Sequence, residues 1–203
     1  MLDPKRMHRI FGTIDAAHKT WDHFVNHHAT SWDTIEIQMS DDLTEVLGVQ
    51  TKFLVKIAKR LNANECYLDG STYVPDTYRS EPRIDITFYC SEMVYERKVG
   101  ITLPVLSELA HDFTKVILHE YTHANQNDID HDPGDQIYDL VDPLEVDAYS
   151  TELAYDYIRY NHDLTKSDVF DRFHKSTSSE IRSELYHLTA LKAEFLEKMV
   201  TPK

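Results

Sequence analysis

Two histidines one helical turn apart, with a glutamate beside the first, are the residues in this sequence best suited to chemistry. They stand in the run Val116-Ile-Leu-His119-Glu120-Tyr-Thr-His123. Positions i and i+4 of a helix share a face, so the two imidazoles can bind one Zn²⁺ through nitrogen at about 2.0 to 2.1 Å each. Glu120 is set sideways from the pair. There its carboxylate can take a proton from a zinc-activated water without becoming a ligand itself.

The competing explanation makes His119 and His123 solvated histidines that share a face by chance in a chain with 12 His. The context weighs against it. Phe113, Val116 and Ile117 mark a helix that is mostly buried, and two histidines in its last turns are costly there unless hydrogen-bonded or metallated. A helix start at Pro104 lies upstream, strands precede it, and an acidic helix follows.

A catalytic zinc usually keeps three protein ligands and an open position for water. Glu145 is the first choice for the third. It follows His123 by 22 residues in Asp142-Pro-Leu-Glu-Val-Asp-Ala-Tyr149, near the start of the next helix. An antiparallel return could bring it to the metal, and Ala148 on the same face would let two helices approach closely. Glu152, seven residues on and on nearly the same face, is the alternative ligand. Glu145 also has a purely structural explanation, because Asp142 as N-cap with a glutamate three positions later is a capping-box arrangement.

His-Glu-x-x-His, an intervening loop, then a helix with a glutamate followed three residues later by a small residue resembles the gluzincin metallopeptidases. The resemblance covers about residues 102–160, and Pro143-Leu-Glu-Val-Asp-Ala148 is similar to a segment in small metallopeptidases of bacteria and their phages. It implies a zincin-like domain in which His119, His123 and Glu145 bind zinc and Glu120 is the catalytic base. One position departs from the pattern. Thermolysin-like members place Asp or Asn four residues after the ligand glutamate, to orient a ligand histidine, and here that residue is Tyr149.

Other candidates carry less. Asp128, Asp130, Asp132 and Asp139 have the spacing of a calcium loop, but the sixth position is Pro133 instead of Gly and the last ligand is Asp instead of Glu. A solvated acidic loop, with His131 on its surface, is the better explanation. His23 and His27 share a helical face without an acidic partner or a third ligand. Tyr149, Tyr155, Tyr157 and Tyr160, and His162, His174 and His187, could each stabilise an oxyanion, but core packing accounts for such residues more often.

The elements that must position these residues follow from periodicity. Residues 4–28 have apolar positions at steps of three and four, as does a second segment at 43–61, and both predict helices. Between 65 and 103 the period changes to two: Ile84, Ile86, Phe88 and Cys90 alternate with polar residues, Val99, Ile101 and Leu103 alternate again, and 66–68 and 72–74 are weaker strands. Helices are expected from Pro104 through the histidines, from Asp142-Pro143 to about residue 161, and, as one or two, over 167–200. The fold class is therefore α+β: a mainly helical domain with a small, largely antiparallel sheet preceding the motif helix. A single domain over 1–203 is expected, with a helical part at 1–62, the sheet at 63–103, active-site helices at 104–161 and C-terminal helices at 162–203.

Composition sets the outer limits. Lys+Arg 21 against Asp+Glu 35 gives a formal charge of −14, which repels phosphate backbones and anionic membranes, so neither is an expected partner. Cys66 and Cys90 are the only cysteines and lack the spacing of a thiolate zinc site or a disulfide framework. The opening residues have no apolar signal-peptide core, and no window approaches a bilayer span. A cytoplasmic setting, or a virion, is expected.

Together these features predict a zinc metallopeptidase, an endopeptidase acting on protein or peptide substrates, with an extended substrate pairing along residues 99–103. The alternative is a virion or scaffold protein that keeps such a fold for structure or binding without proteolysis.

Overall fold

The apolar spacing at the start of the chain is realised as helix α1 (Pro4–His27) in a computed structural model, which describes residues 2–27, 31–73, 82–126 and 142–200. The chain divides into two compact units. One comprises Thr13–Ala124, the other Met1–Gly12 with Asn125–Lys203, so α1 begins in the second unit and continues into the first.

In the Thr13–Ala124 unit, Ser31 caps α2 (Trp32–Leu47), its hydroxyl accepting from the Thr34 amide, and Trp32, Ile35, Met39, Leu43 and Leu47 form its buried stripe. The helix stops at Gly48, whose φ of +63° is a left-handed cap few other residues adopt cheaply. A strand follows, β1 (Gln50–Ile57), with Thr51, Phe53 and Val55 buried between exposed Gln50, Lys52 and Lys56. The helix expected over 43–61 is thus wrong from residue 48 onward. Val46, Leu47, Phe53 and Leu54 mimic helical spacing only when Gly48 is read through, and the residues beyond it are rich in the β-branched types that favour strands.

Two more strands complete the sheet, β2 (Cys66–Tyr73) and β3 (Arg83–Cys90), in the order β1-β3-β2. β3 pairs parallel with β1 and antiparallel with β2, so the sheet is mixed rather than largely antiparallel. The segments expected as separate strands at 66–68 and 72–74 are one strand to Tyr73, and Val74 lies outside the described residues. No strand forms at 99–103. After the short α3 (Glu92–Tyr95), that stretch leads directly into α4 (Leu103–Ala124).

Register puts Ile84, Ile86, Phe88 and Cys90 on the same face as Thr51, Phe53 and Val55 from β1 and Leu68, Gly70 and Thr72 from β2. Against this unit's core, Trp21 stacks on Phe24 at 4.8 Å, Phe24 meets Phe88 edge-on at 5.4 Å, and Phe53 meets Phe113 of α4 at 6.3 Å. The Trp21 indole N–H donates to the Leu106 carbonyl (3.1 Å), satisfying its one polar atom while anchoring the first turns of α4.

In the other unit, α5 (Pro143–Arg159) begins as expected, with Asp142 as N-cap accepting from the Leu144 amide at 2.8 Å. A 3-10 turn (Leu164–Lys166), α6 (Asp168–Ser176) and α7 (Ser179–Val200) follow. Val146, Leu153, Val169, Phe173 and Leu185 form the apolar core. Beside it, Lys192 of α7, Arg6 of α1 and Gln126 all donate to the side chain of Asp147. The class is α+β, as the periodicity predicts, and no helix among the described residues is long and apolar enough to cross a membrane.

Candidate metal centre

His119 and His123 fall in the last two turns of α4, the helix that lies against β2 and β3. Their rings meet edge-on with centroids 4.7 Å apart, and the two Nε2 atoms are 3.0 Å from one another. Two nitrogens bound at about 2.0 to 2.1 Å to one tetrahedral ion would be separated by about 3.3 Å. The observed spacing is near that value, and it is the Nε2 atoms that converge, so the pair fits a shared zinc ion. Neighbouring Ile117, Leu118 and Thr122 are fully buried, which fixes the helix face that carries the imidazoles.

Glu120 is only 7% exposed, and its surroundings come from β2. The Thr72 hydroxyl lies 2.8 Å from Glu120 Oε2 and 2.9 Å from the Glu120 carbonyl oxygen. Gly70 stands on the same face of the strand. A Cβ there would come within 2.7 Å of Glu120 Cγ, 2.7 Å of Val116 Cγ1 and 2.8 Å of Glu120 Oε1. Only the missing side chain lets α4 cross the strand at this point.

Glu145 occupies the third position of α5, in its first turn, and is half-buried. Gln126, three residues beyond His123, donates from its side-chain amide to the Leu144 carbonyl (2.9 Å) and to Asp147 Oδ2 (3.0 Å). Glu152, the alternative ligand, is 8% exposed two turns along α5.

Tyr149, which stands where the gluzincin pattern has Asp or Asn, packs its ring on Phe173 at 5.0 Å beneath the Arg172 guanidinium. Burial, with the charge of Glu152 adding to it, pushes its hydroxyl up to about 12. Its surroundings are those of a packing residue. Among the other oxyanion candidates, His162 stacks on Tyr157 and pairs with Glu197, and His174 stacks on Phe170. The acidic loop with Asp128, Asp130, His131, Asp132 and Asp139 lies outside the described residues, as does the side chain of His27.

Gly70 and Thr72, which meet Glu120, and Gln126, which binds Leu144 and Asp147, are missed by sequence reasoning. For Gly70 a signal exists: a lone glycine inside a strand marks a close backbone approach. Thr72 and Gln126 are of common types at unremarkable spacings, and only folding brings them to their partners. Compared with family models, with curated proteins and with solved structures, the chain matches none.

Proposed function

We propose that this chain is a zinc-dependent endopeptidase in which His119, His123 and Glu145 hold Zn²⁺ and Glu120 is the general base. The observation that carries the reading is the convergence of His119 and His123 Nε2 to 3.0 Å beside a carboxylate that a neighbouring strand grips separately. His119, His123 and Glu145 each offer one ligand atom of a type suited to zinc. Glu145, not Glu152, stands where the gluzincin pattern has its ligand glutamate, and it is given the third place for that reason.

Zinc, when bound, supplies Lewis acidity, lowering the pKa of a water towards about 7 and polarising a carbonyl. Glu120 takes the proton from the attacking water and delivers it to the leaving amine. Its partial burial keeps bulk water from competing for that proton. With no strand at 99–103, the main-chain partner for an extended peptide moves to β2, which has only β3 beside it in the described sheet. A reducing setting such as the cytoplasm suits the free thiols Cys66 and Cys90.

Elemental analysis of protein purified without added metal tests the site. One equivalent of zinc is expected in the wild type and none in His123→Ala or Glu145→Ala. Glu120→Gln should keep the zinc and lose about 10²- to 10⁴-fold in peptide hydrolysis. A wild-type protein that cannot be loaded with zinc overturns the reading.

A further inference from the structure

A glutamate side chain has three rotatable bonds, and a general base must present one oxygen to one water. Two residues of β2 restrict that freedom. Gly70 and Thr72 lie two apart on the strand face turned to α4, opposite Ile86 and Ile84 of β3. Gly70 leaves the room that the Glu120 side chain occupies, since a Cβ at that position would overlap Glu120 Cγ and Oε1 at 2.7 and 2.8 Å. Thr72 supplies the bond: its hydroxyl has a single hydrogen and two acceptors in range, Glu120 Oε2 at 2.8 Å and the Glu120 carbonyl at 2.9 Å. A bond to an ionised carboxylate is about twice as strong as one to a neutral carbonyl. The Glu120 side-chain oxygen is also the nearer of the two acceptors, so the strand, not the helix alone, restricts where Glu120 points.

We propose that Thr72 and Gly70 are positioning residues for Glu120, holding its carboxylate in the orientation that proton transfer requires. The inference rests on Glu120 being the general base of the proposed peptidase. A displacement of about 1 Å in such a group costs on the order of 10²-fold in rate, so strand and rate are coupled through a hydrogen bond that touches neither metal nor substrate.

The test uses the full chain loaded with Zn²⁺ and a fluorogenic peptide library, with Thr72→Val, Thr72→Ser and Gly70→Ala. Thr72→Val should bind one zinc with unaltered affinity and lose about 10²-fold in kcat at unchanged KM. Thr72→Ser should stay within about threefold of wild type, because it keeps the donor, and Gly70→Ala should lose at least as much as Thr72→Val. A second readout needs no turnover: in metal-free protein the side-chain carboxyl ¹³C resonance of Glu120, identified by its absence in Glu120→Gln, should move in Thr72→Val and stay in Thr72→Ser. An unmoved resonance in Thr72→Val, an unchanged kcat in that variant, or a serine variant as impaired as the valine one overturns the inference. If wild type instead shows neither zinc nor hydrolysis, the peptidase reading fails. The resonance then still decides whether Thr72 holds Glu120.

Discussion

Lys192 has no exposed surface, yet it carries an ammonium group into the helical unit. Each of its three N–H bonds finds an acceptor: Asp147 Oδ1 at 2.7 Å, the Asp147 carbonyl at 2.6 Å and Thr151 Oγ1 at 2.9 Å. Burial draws the lysine down to about 8 against the pull of Asp147. Burial likewise opposes charge on Asp147, but Lys192 and Arg6 outweigh it and hold that carboxyl at about 2. Such a pair adds little over a well-packed apolar one, whereas removing one partner strands the other. Lys192→Met should therefore lower the unfolding free energy by about 3 to 5 kcal/mol, read from the urea midpoint at unchanged slope. A loss below about 1 kcal/mol would mean that Asp147 finds water or Arg6 sufficient. Because Asp147 lies two residues from Glu145 and bonds Gln126, this cluster also fixes the start of α5.

At the level of elements, the junction of α2 and β1 shows how a helix can stand in for a missing strand. Glu36, Ser40 and Thr44 recur every four residues along α2. They accept from alternate amides of β1: Val55 to Glu36 at 2.7 Å, Phe53 to Ser40 at 2.9 Å and Thr51 to Thr44 at 2.9 Å. Four helical residues rise about 6 Å and two strand residues about 6.6 Å, so the two repeats stay in step over this length. The sheet edge is thereby covered instead of exposed to strand addition. Ser40→Ala and Thr44→Val should each cost about 1 to 3 kcal/mol, since each leaves a strand amide without its acceptor. Chemical denaturation measures the loss, and light scattering should report faster aggregation of the double variant. Stability equal to wild type would show that water replaces the hydroxyls. This arrangement is also why 43–61 misleads as a sequence: residues on both sides of Gly48 serve one packing surface, through different periods.

For the whole molecule, charge and proton binding set how stability varies with pH. The formal charge of −14 at pH 7 grows more negative as pH rises, which favours the expanded chain through self-repulsion. The thiols act in the same direction. Burial, with Cys90 nearby, pushes Cys66 up to about 12, and burial pushes Cys90 up to about 11, from an ordinary value of 9.0. The native protein keeps these protons through a window in which the unfolded chain has already released them. The unfolded state then binds fewer protons, so stability falls as pH rises from about 9 to 11 and is unaffected by the thiols below 9. Denaturation midpoints of wild type and Cys66→Ala/Cys90→Ala should converge across that interval, the wild type falling more steeply. Parallel curves would show that the thiols are not buried.

Helices α1, α4 and α5, the helical C-terminal stretch, the change to strand periodicity over 83–90 and the His119, Glu120, His123 constellation were legible in the sequence alone, whereas α2 and α3 were not. Each rests on local spacing: 3.6 residues per turn for the stripes of α1 and α4, two for β3, and i, i+4 for the imidazoles. The cap at Asp142 acts within three residues of itself and is legible for the same reason, whereas the caps at Ser31 and Ser167 are missed. Only tertiary structure decided that β1 pairs parallel with β3, that 99–103 forms no strand, and that Gly70 and Thr72 meet Glu120. Thr72 and Glu120 are 48 residues apart. A contact over that distance is selected by how an entire strand and helix pack, so no pattern in either segment announces it.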